Sequence, residues 1–226
     1  YISLCFRLSE FSRVERFEKK ILVSENEIQY YRSSVYHRLS HMLIQNEFRE
    51  AGDFVTEIEL FNRLPLFENR IEESRMIVLR YYSGLVFFVL EDFKKASEWY
   101  GLILDGTRTK SNPMLLISIE LQQIVSLFEL GGYKKKPCRP LDNFLGKLRR
   151  NKKLIDFYSK LIQAMKNVFE PKIPEIPGEQ ESQNELLRNL LKENRIFASY
   201  FGPVVAWLEA RVNHTAVVSE IVKYQN

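Results

Sequence analysis

At 226 residues the chain is long enough to bury a sizeable core as one domain, or to form an elongated array without a single centre. Its 45% hydrophobic, 27% charged and 13% aromatic residues describe an ordinary folded protein, and nine glycines, against about 16 at average usage, favour helices over a turn-rich β-protein. Cys5 and Cys138 are too few for a disulfide framework or a thiolate metal site, and the longest apolar run, Phe197 to Leu208, is well short of the roughly 20 residues that span a membrane.

These features lead us to expect a cytoplasmic protein with no membrane insertion and no cofactor. The chain opens on Tyr1, not Met, so upstream sequence is expected to precede it. Residues 1–22 place Leu4, Leu8, Phe11, Val14, Phe17 and Ile21 on one helical side. Ser24-Glu25-Asn26-Glu27 has the form of a capping box and predicts a long helix to about Gln45. Asn46-Glu47-Phe48 is a polar turn into a second periodic run that ends near Pro65. Glu72 to Leu90 reads as the next helix, and Glu91-Asp92 turns the chain into a helix from Phe93 to Leu104. Asn112-Pro113 predicts an N-cap followed by proline at the first helical position, with Gly131-Gly132-Tyr133 as the turn at the far end.

Pro137 and Pro140 delay the following helix to near Leu141, and Leu154 to Phe169 forms another. Pro171, Pro174, Pro177 and Gly178 mark a proline-rich, acidic segment over 170–182. Glu185 to about Phe201 and Pro203 to Tyr224 are expected to be a closing helical pair, docked by Trp207 and Leu208. The domain reading is therefore a helical array over 1–169, a linker or loop over 170–182, and a C-terminal pair over 183–226 that packs on the array.

Phe48 with Ala51, Phe93 with Ala96, and Tyr133 with Lys136 stand at matching places, the aromatics 45 and 40 residues apart. Phe11 with Val14 offers an earlier copy, and Gly84 adds a small residue where two helices would cross. Over about residues 25–150 this pattern resembles the tetratricopeptide repeat family, in a divergent form with a longer repeat. Lys136 departs from it, standing where a small residue is expected. The resemblance implies an all-α fold, a right-handed α-solenoid of antiparallel helical hairpins with a C-terminal helical cap. It also implies a non-catalytic scaffold that binds an unidentified protein or peptide.

In that family the first helices of stacked units line a concave groove, which would place Tyr36, Ser40, Leu43, Tyr81, Leu85 and Phe88 there. None of the six is a Lys, Arg or Asn, so the carboxylate clamp of chaperone-binding members is not expected. Such a groove could take an amphipathic helix or an extended apolar segment from a partner, or it could be filled by the chain's own helices.

Between Lys134 and Lys166 eleven Lys or Arg face only Asp142 and Asp156, a local excess of nine, so the rest of the chain sums to about −5. Lys134, Lys135, Lys136 and Arg139 form one cluster; Arg149, Arg150, Lys152 and Lys153 form another. If both groups face one side they could track the phosphate backbone of a nucleic acid or dock an acidic partner; the other reading is of cations that solubilise a turn and favour a helix C-terminus. His37 and His41 lie four apart, so both could face one metal ion, but no glutamate of the zinc-protease motif lies between them and no third ligand is evident. No metal, phosphate loop or catalytic constellation is expected.

Overall fold

A computed structural model describes residues 38–43, 45–60, 73–106, 112–150, 156–170, 185–189, 191–192 and 195–222. Among these residues every regular element is a helix and there is no strand. The labelled helices are α1 (Phe48–Leu60), α2 (Glu73–Val89), α3 (Phe93–Gly106), α4 (Pro113–Glu129), α5 (Arg139–Arg150), α6 (Asp156–Phe169), α7 (Arg195–Asn213) and α8 (Val217–Ile221). The readings at Phe11, at the capping box 24–27, at Tyr36 and His37, at Lys152 and Lys153, and over Pro171–Gly178 lie outside the described residues. The chain divides into two compact units, Tyr1–Val86 and Phe87–Asn226, and the division falls inside α2.

In the first unit a helical stretch over 38–43 ends in a left-handed residue, Asn46, with φ 62°. The amide of Glu47 donates to the Met42 carbonyl at 2.9 Å and that of Asn46 to Leu43 at 3.3 Å, the paired bonds of a Schellman cap. Ala51 N–H then donates to Glu47, which opens α1. Phe48, Ala51, Phe54 and Val55 are buried at the three- and four-residue spacing of one helical face. The Arg38 guanidinium lies 4.5 Å over the Phe54 ring.

The same turn recurs after α2. Glu91 is left-handed with φ 61°, and Asp92 N–H and Glu91 N–H donate to Phe87 and Phe88. The Asp92 carboxylate accepts from Lys95 N–H at 3.2 Å and its carbonyl from Ala96 N–H, so Asp92 caps α3. Phe93 is buried against the edge of Phe88, with centroids 5.7 Å apart. After α4 the left-handed residue is Gly131, φ 75°, and Gly132 donates to Leu127 at 2.9 Å. A Cβ on Gly132 would sit 2.9 Å from the Leu127 carbonyl oxygen, so the close approach needs glycine there. Here the chain does not re-enter a helix at once, because Pro137 disfavours the α conformation at Lys136; α5 begins at Arg139.

In the second unit α3 packs on α4, α7 on α4, α6 and α8, and α5 on α6. The expected N-cap at Asn112 is present, its side chain accepting from Met114 N–H at 2.9 Å, with Pro113 at the first helical position. The expected break before Pro203 is absent: α7 runs from Arg195 to Asn213 with Pro203 inside it. An interior proline costs about 3 kcal/mol. Burial of Phe201, Val204, Val205, Trp207 and Leu208 offsets that loss, at about 1.5–3 kcal/mol for each large side chain. All ten residues from 201 to 210 are buried, so α7, expected as part of a terminal pair, is enclosed on every side within this unit.

Two aromatic clusters fix α7. Phe128 of α4 stacks on Phe169 of α6 at 3.8 Å, and both present their rings to the Trp207 edge at 6.4 and 6.1 Å. Phe157 and Tyr158 of α6 both meet Phe201 at 5.4 Å. At the end of α4 the Glu129 carboxylate accepts from Trp207 Nε1 and from Arg211 Nε, each at 2.7 Å. Arg211 also reaches Glu91 at 3.5 Å, which ties the strained turn residue to α7.

Candidate binding surface

Helix α5 divides by charge. Leu141, Phe144 and Leu148 are buried and share one face by the 3.6-residue turn. On the opposite side Arg139, Asn143, Gly146 and Arg150 fall within about 60° of one another, with Arg149 and Lys147 flanking them. The face from Arg139 to Arg150 extends about 16 Å along the axis at 1.5 Å per residue. Lys134, Lys135 and Lys136 precede it in the turn, and Lys136 accepts the Arg139 amide at its carbonyl.

Three other lysines of this basic segment have carboxylate partners. Lys147 meets Glu120 of α4 at 2.6 Å, Lys166 of α6 meets Asp142 at 2.5 Å, and Lys160 meets Asp156 one turn away at 2.5 Å. The first two staple α5 to its neighbours, each contributing about 0.2–1 kcal/mol at this exposure. Lys166 thereby neutralises Asp142, the one acid on the α5 surface. Lys134, Lys135, Lys136, Arg139, Arg149 and Arg150 are all exposed, and among the described residues none of them makes an ion pair.

Helix stability accounts for part of this arrangement. Asp142 in the first turn of α5 and Arg149 and Arg150 in its last turn suit the helix dipole, and Lys134 lies at the Gly131 turn that closes α4. Arg139, at the N-terminus of α5, opposes the dipole and has no such account.

The groove residues stand differently. Leu43 and Tyr81 are buried and Phe88 is fully enclosed, whereas Ser40 and Leu85 are half-buried; Tyr36 lies outside the described residues. Three of the five described side chains are thus already occupied in packing. His41 is half-buried, and among the described residues no group of three or more His, Cys, Asp or Glu is placed to hold a metal ion. Among the same residues no helix is long and apolar enough to cross a membrane.

Cys138, just before α5, donates weakly to the Lys166 carbonyl at 3.7 Å. Burial, then the charge of Glu170 and a hydrogen bond to it, push the thiol up to about 11, against an opposing pull from Lys166. Cys138 is therefore a thiol at neutral pH and a poor nucleophile. In a Cys5→Ser background, its alkylation by iodoacetamide is expected to be slow at pH 7 and to rise about tenfold per pH unit through pH 10; a plateau near pH 9 would contradict this environment. Because the folded value lies above the unfolded one, the native state gains stability below about pH 9 that is lost as pH rises toward 11. Burial raises Tyr133 and Tyr158 in the same sense.

Sequence reasoning found the basic clusters but not which of their members are neutralised. Glu120 lies 27 residues before Lys147, and Lys166 lies 24 after Asp142, so only the packing of α4, α5 and α6 brings these pairs together. No protein-family model, curated protein or solved structure matches the chain.

Proposed function

We propose that this chain is a non-catalytic helical scaffold of the tetratricopeptide type, a solenoid of antiparallel hairpins, that holds a polyanionic macromolecule against the outer face of α5. The observation that carries the reading is the set of six exposed cations around α5 without ion-pair partners among the described residues, beside three lysines that have them. Its repeat character is supported by two copies of one turn, Asn46-Glu47-Phe48 with Ala51 and Glu91-Asp92-Phe93 with Ala96, each with a left-handed first residue and a fully buried alanine. The partner is placed on α5 rather than at Tyr81 and Phe88 because those two side chains are already enclosed.

Retention on a heparin column tests the reading. The wild-type chain is expected to elute well above physiological salt, and Arg149→Glu with Arg150→Glu to elute far earlier with unchanged circular dichroism. Elution of both proteins in the wash would remove α5 as a polyanion surface.

A further inference from the structure

Resting on the polyanion reading, we infer that the α5 face binds the phosphate backbone of a duplex nucleic acid, without regard to base sequence. The reasoning starts from what the face lacks. Stable protein interfaces are anchored by buried aromatic or aliphatic side chains set in pockets. The outward residues of α5 are Arg139, Asp142, Asn143, Gly146, Lys147, Arg149 and Arg150, and none is apolar beyond its alkyl stem. Of its hydrophobic residues Leu141, Phe144 and Leu148 are 0%, 2% and 3% exposed and Leu145 is half-buried, so α5 has no fully exposed apolar side chain to press into a lipid surface. Charge alone remains, and charge alone suffices for the sequence-independent binding of nucleic acid, where counterion release supplies the free energy.

Geometry narrows the partner further. One strand of a duplex presents a phosphate about every 3.4 Å of axis, so the roughly 16 Å face spans about five phosphates. Arg139 and Arg150 are the first and last residues of this span, the Arg150 guanidinium lying back beside Gly146, and Lys134–Lys136 precede it in the turn. An extended acidic peptide would match only with an acid at nearly every outward position. Three of these six cations are arginines, whose planar fork donates to two phosphate oxygens at once.

Single strands are usually held by exposed aromatic rings on which bases stack. The aromatics within residues 133–150 are Phe144, which is buried, and Tyr133, which is half-buried. The face carries no stacking platform, and Asn143 is its one uncharged hydrogen-bonding side chain. Such a surface positions a backbone and reads no sequence.

The test is fluorescence anisotropy with the full chain, from 50 to 200 mM salt, against two 24-base-pair DNA duplexes of unrelated sequence, the matching single strand, and poly-L-glutamate of equal charge. Both duplexes are expected to bind alike, with log K falling against log salt at a slope of about −4 to −5 for about five phosphates neutralised. Arg149→Glu with Arg150→Glu should weaken duplex binding at least about tenfold and flatten the slope by about 2, whereas Arg149→Lys with Arg150→Lys should retain most of it. Tighter binding to the single strand, or equal binding to poly-L-glutamate, would overturn the duplex inference and leave the polyanion reading standing. Binding to none of the probes, or binding unchanged by the double reversal, would overturn both.

Discussion

Trp207→Ala is expected to destabilise the second unit by about 3–5 kcal/mol, the range for deleting a large buried aromatic, and to lower its melting temperature by on the order of 10 °C. Trp207 is fully enclosed in the middle of α7, and its ring closes the stacked pair Phe128–Phe169. Truncation opens a cavity where α4, α6 and α7 meet, and it takes one of the two donors from the Glu129 carboxylate. Trp207→Phe separates these effects. It keeps most of the volume and loses the indole N–H, so its loss should be near 1–2 kcal/mol. Chemical denaturation of the three proteins checks the order; equal losses for Ala and Phe would place the whole effect in the hydrogen bond.

Gln122→Ala is the second large expected loss, again about 3–5 kcal/mol, and for a polar reason. Gln122, Tyr100 and Ser118 are all fully buried. The Tyr100 hydroxyl donates to Gln122 Oε1, Gln122 Nε2 donates to Ser118 Oγ at 2.8 Å, and Ser118 donates to the Tyr200 carbonyl, a relay from α3 through α4 to α7. Removing the amide leaves the Tyr100 hydroxyl without its acceptor and Ser118 without its donor, each worth about 1–3 kcal/mol when buried, and adds a cavity. Tyr100→Phe with Gln122→Leu removes the hydroxyl and its acceptor together and should cost only about 1–2 kcal/mol, less than Gln122→Ala alone. A double variant as unstable as the single one would show that packing volume, and not the unmet hydroxyl, governs this position. The relay also bears on α5, because α4 carries the Glu120 that pairs with Lys147.

Much of the local structure was legible because its causes are local. Asn112-Pro113 reads as a helix start since a side-chain acceptor and a missing N–H both suit the first turn. The turns at Asn46-Glu47-Phe48 and Glu91-Asp92-Phe93 read as polar interruptions between periodic runs, and the packing alanines follow each by three residues. Their left-handed residues were less visible, since Asn46 and Glu91 are not glycine and adopt φ of 62° and 61° only with the cap hydrogen bonds in place. Pro203 misled the reading for a related reason. Its local preference to end a helix is about 3 kcal/mol, and the ten buried residues of 201–210 outweigh it.

The candidate surface was legible as composition and illegible as electrostatics. Eleven basic residues in one segment are apparent at once, but a cation's availability depends on whether a carboxylate from another helix lies within a few ångströms. The groove expectation meets the same limit from the other side: Tyr81 and Phe88 have the periodicity of a helix face, which is equally that of a core, and their burial is set by neighbours that periodicity does not name.

By itself the sequence determined the helical class, the turns at Asn46, Glu91 and Gly131 and the position of the basic segment, because helix periodicity, capping chemistry and charge are properties of residues close together in the chain. Only the tertiary structure decided that α7 is enclosed through Pro203, that Leu43, Tyr81 and Phe88 are buried, and that six cations around α5 stay unpaired among the described residues while Lys147, Lys160 and Lys166 do not. Burial and most of this pairing depend on residues tens of positions apart, whose meeting is set by the sum of many weak contacts and by no single one of them.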